Sequence, residues 1–266
     1  MKQALWFLVL VSLSPLAVGY AASIPETGLD HTRLLAHQGR ARAQFSLGRM
    51  YYLGMGVPQN YVKTAKWIRL AAEQRYAPAQ ASLGVMYYHG QGVPKSYVKA
   101  YKWTRLAAEQ GFAPAQHNLG VMYYHGQGVP QSYVKAYKWA RLAAEQRDAT
   151  AQYNLGFLYY HGQGAPQNYV KAYKWYRRAA EQGYAPAQAA LGVLYYNGQG
   201  VPQNYIKAYK WFILGKASLS PTNLFFGPVS GIIRSLRAHM TPAEIARAQQ
   251  EAASWVATHP HAGPSH

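Results

Sequence analysis

The chain has 266 residues, 50% of them hydrophobic, and carries 27 Lys or Arg against 9 Asp or Glu, a formal net charge of +18. It contains no cysteine, which excludes disulfides and thiolate metal sites. So strong a positive charge attracts anionic partners, most effectively at low ionic strength.

Residues 1–22 are predicted to be a secretory signal peptide. Lys2 precedes an apolar run over 4–18, and the small residues Ala21 and Ala22 follow it. We therefore expect an exported protein, periplasmic or secreted, without a membrane span. Its anionic partners would then be envelope glycans, lipid headgroups or acidic proteins. Nucleic acid is an unexpected partner, because the chain is exported and has no nucleic-acid-binding motif.

The rest of the sequence is dominated by a repeat of 36 residues. Residues 79–114 recur almost unchanged at 115–150 and 151–186, and looser copies occupy 43–78 and 187–222. A strict period of this length indicates a solenoid, because a single unit cannot bury its apolar face alone.

Each repeat is predicted to be a pair of helices. Apolar residues around Leu83 have the spacing of a first helix, which Gly90 ends, and Ser96 begins a second helix. Gly84, inside the first helix, has a counterpart in every repeat. We expect it to allow close approach of the second helix, with Trp103 packed nearby.

The pattern A-x3-LG-x2-Y-x2-G-x-G-V, followed by KA-x2-W-x3-AA, resembles the Sel1-like repeat family, which is related to the tetratricopeptide repeats. The resemblance covers residues 43–214. It implies an all-α, right-handed α-solenoid of antiparallel helix pairs with terminal capping helices. It also implies that the first helix of each pair lines a concave face, and that the protein holds other proteins and does no chemistry.

The two ends of the repeat array differ from the repeats. Residues 23–42 should contain one capping helix, at about 30–38. Residues 223–233 are predicted to form a loop over the last pair, or an exposed docking patch, within a C-terminal region over 223–258. Thr241 and Glu244 form a capping box that begins a last helix, and 259–266 should be a disordered tail.

Two motifs suggest catalysis and are better explained by structure. Ser96-x-x-Lys99 and Ser132-x-x-Lys135 match the nucleophile motif of serine enzymes that react with penicillin, and some Cys-rich relatives in the resembled family are associated with β-lactam hydrolysis. The other repeats have Asn at the serine position, so helix capping explains the motif and β-lactam hydrolysis is a remote alternative. We predict no catalytic residue.

The repeated histidines and glutamates do not suggest a cofactor or metal site. His89, His125 and His161 occur once per repeat, and equivalent side chains on stacked helices do not converge on one ion. Glu109 and its counterparts form a row of equivalent groups, whereas acid–base catalysis needs two groups in different environments. No cofactor and no metal are predicted.

Two surfaces are candidates for binding. The first is the face of each first helix that lies away from its packing stripe, suited to a peptide or a helix of a partner protein, unless Val85 and Phe157 only pack between pairs. Its candidate residues are Ser82, Val85, His89, Asn118, Val121, His125, Asn154, Phe157 and His161. The second is a basic row on each second helix, which is either a solvated face or a site for anionic glycan or lipid. Its candidate residues are Lys99, Lys102, Arg105, Lys135, Lys138, Arg141, Lys171, Lys174 and Arg177.

Overall fold

The computed structural model describes residues 28–217 and 226–259, and the regular structure in these ranges is α-helical. The described residues divide at Ala143 into two compact units. We call them the N-terminal unit, residues 28–143, and the C-terminal unit, residues 144–259. The predicted signal peptide and the predicted tail from residue 260 onward lie outside the described residues.

In the N-terminal unit a lone helix is followed by three helix pairs, in agreement with the sequence. The last helix continues two residues beyond the unit. The helices are α1 (Leu29–His37), α2 (Ala41–Leu53), α3 (Tyr61–Glu73), α4 (Ala77–His89), α5 (Tyr97–Glu109), α6 (Ala113–His125) and α7 (Tyr133–Glu145).

The C-terminal unit contains two further helix pairs and two terminal helices. Both terminal helices pack against the second helix of the last pair. The helices are α8 (Ala149–His161), α9 (Tyr169–Glu181), α10 (Ala185–Asn197), α11 (Tyr205–Ala217), α12 (Phe226–Arg237) and α13 (Pro242–Thr258).

Local signals in the sequence set the ends of the paired helices. Gly90 ends α4 in the left-handed conformation, with φ 76°, and the Ser96 hydroxyl accepts a hydrogen bond from the backbone N–H of Lys99 at the start of α5. The Ser96 N–H also donates to the carbonyl of Tyr87 over 2.8 Å. This bond brings the start of α5 beside the last turn of α4, so the two helices run antiparallel.

The glycine inside each first helix faces the residue that follows the repeated tryptophan. A Cβ atom on Gly84 would contact the hydroxyl of Thr104 and would lie 3.2 Å from the Ala100 carbonyl oxygen. The residue in direct contact with Gly84 is therefore Thr104, while Trp103, expected nearby, packs against the buried cluster that contains Leu83. One residue is about 100° around a helix, so Trp103 lies to one side of this contact, where it is half-buried.

The first helices are buried on nearly all sides, whereas the second helices are amphipathic. In α4 every residue from Ala79 to Tyr87 is buried. In α5 the buried residues are Ala100, Thr104, Ala107 and Ala108, and its charged residues are exposed. The surface of each unit is therefore made largely by the second helices and by the turns.

Buried glutamines connect consecutive pairs. In α4 the amide nitrogen of Gln80 donates to the Ala72 carbonyl at the end of α3, over 3.1 Å. The oxygen of the same side chain accepts a 2.6 Å hydrogen bond from Gln110, at the end of α5. We call this arrangement, which recurs at Gln44 with Gln74 and at Gln152 with Gln182, the glutamine ladder.

The C-terminal region is helical where a loop was expected. Residues 226–237 form α12, although the sequence predicted a loop over 223–233. Val229 and Leu236 are spaced i and i+7 and are both buried, and Pro228 lies in the first turn, where no intrahelical donor is needed. The capping box of α13 is confirmed, because Thr241 and Glu244 exchange both hydrogen bonds.

Candidate binding surfaces

The structure separates the nine candidates on the first helices into buried and accessible positions. The three histidines reach the surface: His89 and His125 are exposed and His161 is half-buried. The six buried members are Ser82, Val85, Asn118, Val121, Asn154 and Phe157. Packing between helix pairs, the alternative given for Val85 and Phe157, is consistent with this burial.

In the N-terminal unit the exposed histidines belong to aromatic clusters at the turn end of each pair. The ring of Tyr88 lies 5.0 Å from the rings of both His89 and Tyr97. Tyr124 has the same arrangement, 5.0 Å from His125 and 5.1 Å from Tyr133. We call these clusters, with their counterparts in other repeats, the tyrosine–histidine edge.

Hydrogen bonds hold these rings in place. The hydroxyl of Tyr88 donates to the side-chain oxygen of Gln127 over 3.0 Å, and Gln131 donates to the Tyr133 hydroxyl over 3.2 Å. Tyr133 nevertheless keeps 36% of its surface exposed. The edge therefore presents rigid, half-exposed aromatic rings that need little reordering when a partner binds.

The C-terminal unit repeats the cluster at His161, Tyr160 and Tyr169, with ring distances of 4.9 and 5.2 Å. Burial, followed by the nearby Tyr169, raises the pKa of Tyr160, so its phenol stays protonated and donates to Gln199. Burial lowers the pKa of His161 below its ordinary value. Tyr160 and His161 are thus uncharged near neutral pH.

The basic rows are exposed, but their members have different contacts. In the N-terminal unit the first lysine of each row covers a tyrosine ring, as Lys99 does at 5.4 Å from the Tyr87 centroid. The last residue, Arg105, pairs with Glu109 over 3.3 Å. The middle lysine, Lys102, is exposed and has no acidic partner among the described residues. The middle lysines are therefore the members most available to an anion.

The rows of the C-terminal unit have the same contacts. Lys171 lies 5.3 Å from the ring centroid of Tyr159, and Arg177 pairs with Glu181 over 2.8 Å. Lys174 is exposed. All nine candidates of the basic rows are exposed, so the structure places them where an anionic surface can reach them.

The serines of the S-x-x-K motif are helix caps. Ser96 and Ser132 accept hydrogen bonds from the backbone N–H groups of Lys99 and Lys135, over 3.3 and 3.4 Å. Asn60 accepts the same bond in the first pair, over 2.8 Å. The capping interpretation is confirmed, because a side chain that accepts from the backbone at a helix start is performing the role of an N-cap.

The sequence reading missed a row of exposed valines on the second helices. Val62, Val98, Val134 and Val170 are each at least 50% exposed. The exposure of these valines can be predicted from a helical projection of the sequence, because Val98 lies about 200° around the helix from the buried Ala100. None of the described helices is long and apolar enough to cross a membrane.

Tandem helix pairs with a shared 36-residue sequence period define an α-solenoid repeat protein. The Sel1 repeat model matches the chain five times, at residues 41–76, 77–112, 113–148, 149–184 and 185–216. The chain therefore belongs to the Sel1 repeat family, and the predicted fold class is confirmed. The matched segments begin two residues before the repeat boundaries read from the sequence.

Solved structures agree with this assignment. A Sel1 repeat protein from Oxalobacter formigenes is 31% identical with a TM-score of 0.67, over 77% of this chain and 57% of that chain. The protein c5321, a protective antigen of uropathogenic Escherichia coli with an SLR fold, is 29% identical with a TM-score of 0.58, over 88% and 57%. The chain thus spans little more than half of either relative. No curated protein matches it by sequence.

Proposed function

We propose that this protein is an exported, non-enzymatic scaffold that binds another protein through the tyrosine–histidine edge. Sel1 repeats are protein-interaction modules, and the chain is built largely of them. The observation that carries the proposal is the repeated cluster of rigid, half-exposed rings at Tyr88, Tyr97 and His89. Tyrosine is enriched in protein interfaces, because its ring buries a large area and its hydroxyl can form a hydrogen bond.

The test is site-specific photo-crosslinking in living cells. A photoreactive amino acid replaces His125 on the edge, and in a control chain it replaces the exposed Val256 on α13. The partner captured at position 125 is identified by mass spectrometry and purified, and its affinity is then measured for the wild type, Tyr133→Ala and Val256→Ala. We expect Tyr133→Ala to weaken binding by about tenfold or more. Equal affinity of all three proteins would refute the edge as the binding surface.

Export and the lack of catalysis are separate parts of the proposal. The apolar run over 4–18 supports export. Cell fractionation and N-terminal sequencing of the mature protein test it, and an intact Met1 in the cytoplasm would contradict it. Incubation with a chromogenic β-lactam, with Ser96→Ala and Ser132→Ala as controls, tests the absence of catalysis. Turnover that these changes abolish would overturn it.

A second candidate function is binding to an anionic envelope surface. Its support is the exposure of the middle lysines, Lys66, Lys102 and Lys138, without acidic partners among the described residues. Salt distinguishes the two functions. Binding through these lysines should weaken steeply as ionic strength rises, whereas binding through the aromatic edge should persist.

A further inference from the structure

The second helices of the N-terminal unit present exposed valines that the fold does not require. Val62, Val98 and Val134 are 68, 67 and 54% exposed. Each is the second residue of its helix, and valine is a weaker helix former than most residues. These valines therefore contribute little to packing or to helix stability, and each recurs at the same position of its repeat.

A lysine lies one helical turn after each of these valines, on the same face. Lys66, Lys102 and Lys138 follow at i+4 and are exposed. In α3 the shared face is directly visible, because Val62, Lys66 and Leu70 line one shallow groove, which Val93 of the following turn and Arg69 and Glu73 of the same helix also line. The pattern is an aliphatic side chain next to a cation with no acidic partner among the described residues, once per repeat.

The same backbone contact places these faces in equivalent positions. Gly92 lies against the Tyr61 carbonyl oxygen at the start of α3, and Gly128 lies against the Tyr97 carbonyl oxygen at the start of α5. Both glycines have positive φ, and a Cβ atom at either position would overlap the neighbouring backbone. Each of these turns thus packs against the preceding second helix in the same way. The valine–lysine arrangement therefore recurs from one repeat to the next.

The charge of the N-terminal unit limits which kinds of molecule can bind to the helix faces that carry these valines and lysines. Residues 28–143 contain fifteen Lys or Arg and three Asp or Glu. A soluble polyanion would use the lysines but would gain nothing from the exposed valines. An anionic lipid surface uses both, because aliphatic side chains enter the boundary between headgroups and acyl chains while lysines contact phosphates.

We infer that α3, α5 and α7 dock on an anionic phospholipid surface, with Val62, Val98 and Val134 inserted among the headgroups and Lys66, Lys102 and Lys138 on the phosphates. This inference deepens the second candidate function, on which it rests, by naming the lipid and the apolar contact. The repeated arrangement suits a bilayer, which presents the same chemistry to every repeat.

The experiment is co-sedimentation of the purified protein with vesicles of phosphatidylglycerol and phosphatidylcholine, against vesicles of phosphatidylcholine alone. The key variant carries Val62→Thr, Val98→Thr and Val134→Thr, which keep the side-chain shape and add a hydroxyl. Its control is Val256→Thr, an exposed valine on α13. A second variant carries Lys102→Gln and Lys138→Gln. Its control carries Arg40→Gln and Arg42→Gln, which remove the same amount of positive charge at another place. Circular dichroism verifies that every variant is folded.

We expect binding to the anionic vesicles only. The triple threonine variant should bind them about tenfold more weakly, and the double glutamine variant about thirtyfold more weakly, with little change in either control. Dextran sulfate, a soluble polyanion, should still bind the threonine variant.

Unchanged vesicle binding of the threonine variant would overturn the lipid inference and leave a purely charge-driven surface. Failure of the wild type to bind either dextran sulfate or anionic vesicles would overturn the second candidate function itself.

Discussion

At the scale of single residues, the glycine in each first helix and the residue opposite it act together. Gly84 faces Thr104, whereas Gly120 faces Ala140, whose small side chain leaves the glycine backbone less crowded. Thr104 is buried, and its hydroxyl has no hydrogen-bond partner among the described residues. The second pair therefore tolerates a bulkier residue only because Gly84 lacks a side chain.

We predict that Gly84→Ala destabilises the protein by about 1–3 kcal/mol, because the new methyl group overlaps the Thr104 hydroxyl. The change Thr104→Ala in the same chain should restore part of the loss, since it removes the hydroxyl and leaves only the backbone contacts of the new methyl group, with the Ala100 carbonyl oxygen and the nitrogen of residue 104, each at 3.2 Å. Urea unfolding of both variants and of Gly120→Ala measures the effect. Equal free energies of unfolding for Gly84→Ala with and without Thr104→Ala would contradict this packing.

The environment of His161 predicts a pH effect on stability. Burial lowers its pKa below the ordinary value of 6.5, so the unfolded chain binds a proton more readily than the folded one. Its contribution to the free energy of unfolding is complete above pH 6.5 and decreases as the pH falls toward the folded-state pKa.

We predict that His161→Asn reduces the loss of thermal stability on acidification, because asparagine does not titrate. Asparagine is also the natural residue at the equivalent position 197. Melting temperatures of the wild type and His161→Asn, measured on both sides of pH 6.5, test the effect. His89→Asn is the exposed control, and an equal change from both substitutions would rule out burial as the cause.

At the scale of helices, the glutamine ladder connects the end of one pair to the beginning of the next. Gln80 is buried and uses both its amide nitrogen and its oxygen, on Ala72 and Gln110. Gln188, in α10, makes only the first of these bonds, and its oxygen has no partner among the described residues. The repeat sequence explains the difference, because Gln110 has a serine counterpart at residue 218.

We predict that Gln80→Ala costs about 2 kcal/mol, because it removes two hydrogen bonds of about 1 kcal/mol each. Gln188→Ala, which removes one bond, should cost about 1 kcal/mol less. Urea unfolding followed by circular dichroism compares the two variants. The prediction fails if Gln188→Ala is the more destabilising change.

At the scale of whole units, the terminal helices protect surfaces that would otherwise remain open. In the C-terminal unit, α13 packs on α11, and the rings of Trp255 and Trp211 meet edge to face at 5.8 Å. Trp211 is only 8% exposed, whereas Trp175, at the equivalent position of the preceding repeat, is half-buried. The same residue thus becomes core in the last repeat because α13 covers it.

We predict that Trp255→Ala lowers the free energy of unfolding by about 3–5 kcal/mol, as expected for a large core truncation. The neighbouring Val256→Ala should have little effect, since Val256 is 48% exposed. Thermal melts of both variants measure the difference. A small effect of Trp255→Ala would show that α13 does not stabilise the unit.

The sequence alone determined the period, the paired helices and most of the helix ends, because these depend on local chemistry. A left-handed glycine ends a first helix, a serine or asparagine caps a second one, and Thr241 with Glu244 begins α13. These signals act within a few residues and can be read without knowing the neighbouring helices.

Only the tertiary structure decided which residues face solvent. The spacing within α6 predicted that Val121 and Asn118 are accessible, but neighbouring helices bury them. Val98, in contrast, is exposed, although Ala100 two residues later is buried. Burial depends on what packs against each face of a helix, and spacing within one helix cannot supply that information. The partner of Gly84 and the packing of the helix at residues 226–237 on α11 were decided in the same way, by contacts between helices.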